Sequence, residues 1–171
     1  TAETPLTTVS GTSFAAAHVS GALALLRAQY PSDTATESIH RLLSGTDRKS
    51  GIYTLVHTGG RLNLAKSLAS APRPFHDDFV NGALLVGDYV SVRTSTFGAT
   101  RQPGEPNHAA EPGTGGSVWW AWLANQTATY RIDTLGSAID TRLAVYEGPN
   151  MLSLRPVVSN DDDGDFPTSR V

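Results

Sequence analysis

The sequence contains no cysteine, which excludes disulfides, zinc-thiolate centres and iron-sulfur clusters. Charged residues are scarce too, at 17 %, below the usual quarter, so the surface is built largely from Ser, Thr, Asn and Gly. Thirteen Lys/Arg without a basic run, against sixteen Asp/Glu and a net charge of -3, leave no electrostatic footprint for a phosphate backbone, and a nucleic-acid partner is not expected. Long apolar runs are absent as well. The best apolar helix candidate is interrupted by Ser20 and Gly21, so no membrane span is expected. The opening Thr-Ala-Glu-Thr-Pro has neither a basic nor an apolar targeting region, and with no initiating Met the chain reads as a piece of a longer protein. What remains is 39 % apolar residues over 171 positions, enough to bury a core in one ordinary domain or two small ones.

Charge and periodicity both change near Pro72. Residues 1–71 hold six Lys/Arg and four Asp/Glu, a net of +2, whereas residues 72–171 hold seven and twelve, a net of -5. Apolar residues recur at helical spacing before this point and with a period of two after it. The two prolines of Ala69-Ser-Ala-Pro-Arg-Pro-Phe75 end any helix, and the segment reads as a linker between domains 1–71 and 72–171.

In the first part, Ala15, Ala16, Val19, Ala22, Leu23, Leu26 and Tyr30 predict a helix over Ser13 to Tyr30 that Pro31 stops. Its first two turns are nearly all small residues, the composition of a buried helix with backbone packed close against it. Thr36 to Leu43 and Leu62 to Leu68 predict two more helices, and Gly51 to Val56 a short strand or an extended loop. In the second part, Leu84 to Val86, Tyr89 to Thr94, Ser117 to Leu123, Thr129 to Thr134 and Thr141 to Tyr146 are strand candidates, so a two-sheet β-sandwich is expected. The Gln102 to Gly116 stretch is an ordered loop or an arm across that sandwich.

Gly11-Thr12-Ser13-Phe14-Ala15-Ala16-Ala17-His18-Val19-Ser20-Gly21 carries the chemistry. A hydroxyl at the first turn of a helix lies beside N–H groups that lack intrahelical acceptors, and their dipoles favour developing negative charge. A nucleophile there can attack a carbonyl while its own amide holds the oxyanion; the plainer alternative is that Thr12 or Ser13 is only a helix cap. The string resembles the serine signature of the subtilisin-like proteases, Gly-Thr-Ser-(Met or other)-Ala-x-Pro-His-Val-x-Gly. The resemblance extends over residues 6–70 through Gly60-Arg-Leu-Asn63-Leu-Ala-Lys-Ser-Leu68.

The resemblance implies an α/β subtilisin-like fold, here only its C-terminal helices. It implies Ser13 as nucleophile, Gly11 and Thr12 as shapers of the turn, and His18 as a structural, buried histidine. It also implies peptide-bond hydrolysis by an Asp-His-Ser triad, a protein or peptide substrate, no required cofactor, and export from a bacterial cell. The triad acid, the base and the oxyanion asparagine precede the serine by long intervals in that family, so they are expected in missing upstream segments of the catalytic domain. The chain alone is then expected to be inactive. Ala17 stands where the family has Pro, and a proline there is expected to stabilise the intact enzyme. His18 follows Ser13 by five residues, about 140 degrees around a helix, so it is not the general base. His40, His57, His76 and His108 have no context resembling the catalytic histidine.

Residues 75–171 resemble the bacterial pre-peptidase C-terminal domain, an all-β, jelly-roll-like sandwich, here incomplete. The likeness rests on Asp77-Asp78-Phe79, Pro103 to His108, Ser117 to Trp122, Ile132 to Tyr146 and Ser159-Asn-Asp-Asp162. By alternation Trp120 and Trp122 point into the core with Val118, leaving Trp119 on the open face to stack on a sugar or rest on the catalytic domain. Asp161-Asp162-Asp163-Gly164-Asp165 is a solvated acidic turn or a structural calcium site shared with Asp77 or Asp78. The competing functions are a β module that binds carbohydrate, matrix protein or cell surface, and a degenerate protease homologue.

Overall fold

The computed structural model describes residues 8–52, 55–56, 58–110 and 115–171. The chain divides into two compact units, Thr1–Phe75 and His76–Val171.

The first unit is three helices and a small ladder. Helix α1 spans Thr12–Gln29, α2 Ala35–Ser44 and α3 Leu64–Ala69, with β1 (Asp47–Arg48) paired antiparallel to β2 (Gly60–Arg61) between the last two. The helical periodicity of the sequence therefore forms three helices, displaced by a residue or two. Gly51 to Val56 begins as a 3-10 turn at Ser50–Ile52, while Tyr53 and Thr54 fall outside the described residues. Helix α2 starts with a capping box, in which Thr34 accepts from the Glu37 N–H and the Glu37 carboxylate accepts from the Thr34 N–H at 2.7 Å. Asn63 caps α3 by accepting from the Lys66 N–H at 3.1 Å.

The helices bury Ala22, Leu26 and Leu42 together, with Val19, Leu23, Leu43, Leu62, Leu64 and Leu68 around them. Tyr30 closes the end of this core, its hydroxyl donating to Leu68 O and its ring lying 3.8 Å from the Arg41 guanidinium carbon. Arg41 also pairs with Asp33 at 2.6 Å. Asp47 on β1 gathers Lys66 at 2.6 Å, Asn63 and Arg61, and these donors hold its carboxyl down at about 2.

Helix α1 departs from expectation in burial. Only Ala22 and Leu26 of its eighteen residues are buried; Phe14 and Leu25 are about half exposed. Short helices α2 and α3 cover one stripe of α1, and the small residues of its first two turns stay open. Ala17 corrects a second expectation. It is the sixth helical residue, inside a ladder that runs unbroken over Thr12–Gln29, not in the first turn where a missing N–H costs nothing. Proline at this position is thus expected to lower, not raise, the unfolding midpoint, by about 3 kcal/mol of lost helix stability in thermal denaturation of Ala17→Pro.

Gly45 ends α2 where α3 crosses it. A Cβ on Gly45 would fall 2.3 Å from the Ser67 backbone nitrogen, and Ser67 is itself pinned by donating to Leu42 O at 3.1 Å. Gly45→Ala should force the two helices apart at a cost of about 1–3 kcal/mol, measurable as a lower denaturant midpoint.

His40 on α2 is buried, and its Nδ1 has no hydrogen-bond partner. Burial pushes its imidazole below the usual value, against a hydrogen bond to Pro72 and the charge of Glu37, which pull it up. The unfolded chain then binds the proton more readily than the folded one. Stability of this unit is full above the ordinary histidine value of about 6.5 and falls as pH drops toward the lower folded value. Urea titrations across this range should show the loss, and His40→Asn should flatten it.

The second unit holds two more two-stranded sheets. Strands β3 (Ala83–Leu85) and β4 (Trp120–Trp122) run parallel, with Leu85 opposite Trp122. Strands β5 (Leu143–Glu147) and β6 (Arg155–Asn160) form an antiparallel hairpin with an irregularity at Val145/Tyr146, where Pro156 stands opposite Tyr146. The sheets are unclosed. Of the expected strands, Tyr89 to Thr94 is irregular and exposed, and Thr129 to Thr134 contributes a lone bridge from Asp133 to Arg170. A β-patterned segment becomes a strand only when another backbone accepts its ladder: Tyr89 to Thr94 finds none among the described residues, and Ile132 and Thr134 bond only to the short Ser169–Val171 end. Strand β6 carries no strand signal in the sequence, because Pro156 interrupts the pattern of Val157 and Val158.

Trp119, expected on an open face, is instead the buried tryptophan, 9 % exposed, while Trp120 and Trp122 are only half-buried. Its N–H donates to His76 O at 2.8 Å and its carbonyl accepts from Ala83 N at 3.2 Å. That pinned backbone holds the indole edge-on to Phe79 at 5.1 Å and to His108 at 5.4 Å. Alternation assigns a face only when a strand is long enough to have one covered side, and β4 is three residues long. Of the Gln102 to Gly116 stretch, residues 111–114 lie outside the described residues, and residues 102–110 form an arm tied to the β5–β6 hairpin. His108 bridges Glu105 Oε1 at 2.8 Å and the Tyr146 hydroxyl on β5 at 2.9 Å.

Candidate functional site

Gly11 precedes α1 with φ 156° and ψ 151°, a conformation open essentially to glycine alone, and it provides no side-chain cap. The chain can therefore turn sharply into the helix directly before Thr12 and Ser13. Gly11 O accepts from the N–H groups of Phe14 at 3.2 Å and Ala15 at 3.3 Å. The Thr12 and Ser13 amides are left without such acceptors among the described residues, at the positive end of the helix dipole. Ser13 is exposed, and its hydroxyl has no hydrogen-bond partner among the described residues. With neither Thr12 nor Ser13 capping the helix, the plainer reading of this hydroxyl as a cap finds no hydrogen bond to rest on.

His18 is engaged with its own helix. Its Nδ1 lies 2.8 Å from Phe14 O, one turn back, and the ring is exposed where the sequence led us to expect a buried one. The open stripe of α1 between Ala17, His18, Gly21 and Leu25 forms, with Leu62 and Leu64, a shallow apolar groove of about 540 Å³. The remaining described histidines are occupied elsewhere: His40 in its helical unit, His76 on Thr94 at 2.9 Å, and His108 between Glu105 and Tyr146. His57 lies outside the described residues. Among the described residues, no imidazole is hydrogen-bonded to Ser13, and a serine without a base is a weak nucleophile.

Residues 1–65 match the Subtilase family (Peptidase S8). The match includes Gly11, Thr12, Ser13 and His18, and it ties the helical unit to a peptidase superfamily. It covers less than half of the chain and none of the residues from His76 onward. No curated protein and no solved structure matches the chain.

The acidic residues do not assemble as expected. Among the described residues, carboxylates close enough to share an ion are Asp140, Asp161 and Asp162. Asp77 is 1 % exposed and accepts from the Thr100 hydroxyl at 2.9 Å, and Asp163 pairs with Arg170 at 3.0 Å. Asp77, Asp78 and Asp163 thus lie outside the cluster, while Asp140, unremarked in the sequence, lies within it. Arg142 already neutralises Asp161 at 3.0 Å. Behind them Ser169, fully buried, donates its hydroxyl to Asp161 O at 2.7 Å and its backbone N–H to the Thr134 and Thr141 hydroxyl oxygens, which draws these distant loops together.

The sequence also gave no role to the Glu105–His108–Tyr146 chain. The Glu105 side chain is completely buried, and its second oxygen accepts from Gln102 N at 2.8 Å. Burial, with the nearby Glu105 charge, raises the Tyr146 phenol above its usual value. Through the His108 ring the Tyr146 hydroxyl on β5 is tied to Glu105, and this chain fastens the arm. Glu105→Ala, which orphans the Gln102 amide and His108, should lower the unfolding midpoint of the second unit by about 1–3 kcal/mol.

Proposed function

We propose that the helical unit contributes the nucleophile of a subtilisin-like serine endopeptidase. The observation that carries this reading is the free, exposed Ser13 hydroxyl on the first turn of α1, directly behind a glycine in a glycine-only conformation, within the segment that matches the subtilases. In the intact peptidase an imidazole takes the Ser13 proton as Oγ bonds to the scissile carbonyl carbon. An aspartate orients that imidazole, and the Ser13 amide with an asparagine side chain holds the oxyanion. The imidazolium then protonates the leaving amine, and water, deprotonated by the same base, hydrolyses the acyl-enzyme. Ser13, with Gly11 and Thr12 shaping the turn, supplies nucleophile and one oxyanion donor; base, acid and asparagine come from other parts of the catalytic domain. No cofactor enters these steps.

The second unit, in this reading, is an accessory β-sandwich of the pre-peptidase C-terminal kind in an exported bacterial enzyme. Its support is the pair of unclosed sheets and the motifs from Asp77 to Asp162. No helix among the described residues is long and apolar enough to cross a membrane.

A fluorophosphonate probe tests the assignment. The chain by itself should label negligibly, for want of a base. A polypeptide carrying this segment with the rest of its catalytic domain should label rapidly, with one probe per chain on the Ser13 peptide. Rapid labelling of the chain alone, or of any residue other than Ser13 in the larger protein, would overturn the proposal.

A further inference from the structure

Within the His76–Val171 unit, two stretches distant in sequence meet beside the end of β4. The Trp122 indole N–H donates to Gly87 O at 3.0 Å, and one residue further on Asp88 Oδ1 accepts from the Asn125 amide at 3.3 Å. Trp122 stands edge-to-face with Tyr130, ring centroids 4.5 Å apart at 77°. Tyr130 is fixed in turn by its hydroxyl, which donates to Gln126 O at 3.1 Å. Next to Asp88, Tyr89 is 99 % exposed.

We propose that this surface binds a pyranose ring of an uncharged polysaccharide. An edge-to-face pair uses one face of one ring and one edge of the other, and both rings are only half-buried, so part of their surface is open to a ligand. A pyranose has an apolar C–H face that rests on such a ring and equatorial hydroxyls at its rim. Asp88 keeps a free carboxylate oxygen as acceptor, and Asn125 offers its amide oxygen beside it, on exposed side chains that need no rearrangement to reach those hydroxyls. An anionic ligand fits poorly. From His76 onward the chain carries six Arg and twelve Asp/Glu, a net of -6, and Arg131, the cation next to Tyr130, already faces Asp133 at 3.6 Å. A fully exposed tyrosine gains nothing for folding, whereas two rotatable bonds and a broad face make it an inexpensive stacking group.

This inference does not rest on the peptidase reading, and probe labelling of Ser13 is indifferent to it. The test titrates the full chain with cellohexaose, chitohexaose and laminarihexaose, following tryptophan fluorescence and calorimetry. At least one of them should bind saturably at about millimolar concentration or below. Tyr89→Ala or Asp88→Ala should weaken that binding about tenfold without moving the unfolding midpoint, since both side chains are exposed. Absence of binding by all three at about 10 mM overturns the proposal, as does wild-type affinity in both variants. Self-association that shields Tyr89 without any oligosaccharide binding assigns the surface to a second copy and overturns it equally.

Discussion

In the serine endopeptidase proposed above, exchanging Ser13 for alanine should lower kcat by about 10⁶-fold, the loss that follows when the nucleophile of a serine triad is removed. A residual rate about 10³–10⁴ above that of water should remain, because the oxyanion donors and substrate contacts do not depend on the hydroxyl. The geometry behind this expectation is local. Gly11 at φ 156° sets the turn, and the helix dipole and free amides sit behind Ser13. The substitution removes one exposed oxygen that bonds to no described residue, so folding should be untouched. Equal thermal midpoints with collapsed turnover would locate the loss in the chemical step. Undiminished casein hydrolysis by the Ser13→Ala enzyme would place the nucleophile elsewhere.

Leu26→Ala should be the most damaging single change to the fold, at about 2–5 kcal/mol. Leu26 is wholly buried at the crossing of α1 with its neighbours, and among the described residues only Ala22 and Leu42 are buried with it in that cluster. A core this small leaves little reserve. Domains are held by roughly 5–15 kcal/mol at best, and each ordered residue costs about 1–2 kcal/mol of backbone freedom. With Phe14, Leu25 and the small face of α1 exposed, the chain on its own should already exchange most amides of its helical unit within seconds. Leu26→Ala should then abolish any remaining cooperative transition and raise the tendency to aggregate. Slow exchange along Phe14 to Leu26 in the unaltered chain, with a sharp thermal transition, would show that three helices suffice.

The helices were legible because their signals are local. Ala22, Leu26 and Tyr30 recur at helical spacing, as do Ile39, Leu42 and Leu43, and Pro31 follows the end of α1. The candidate serine segment was legible for the same reason, since the Gly11 turn, the helix start at Thr12 and the Ser13 hydroxyl lie within three consecutive residues. Burial was another matter. Nothing local distinguishes a small-residue helix covered on every side from one covered on a single stripe, and α1 is the latter here. Ala17 lies in the second turn of α1 because the helix start is set by the backbone of Gly11 and not by the apolar pattern.

In the second unit the balance reverses. Composition and alternation by themselves determined that residues beyond the linker avoid helices and favour extended backbone, because β-branched and aromatic residues separated by Gly, Pro, Asn and Asp have few other conformations to adopt. Which extended segments became strands was decided only in three dimensions. Leu143 to Glu147 found Arg155 to Asn160 and formed a hairpin, whereas Tyr89 to Thr94, with as good a pattern, has no partner strand among the described residues. The same holds for Trp119, turned inward by backbone bonds to His76 and Ala83, and for Asp140, which joins Asp161 and Asp162 across some twenty residues of chain. Sequence patterns report the conformations a segment can take at a cost of a few tenths of a kcal/mol to about 1 kcal/mol per residue. Partners, burial and the meeting of distant side chains depend on contacts that no short window of residues contains.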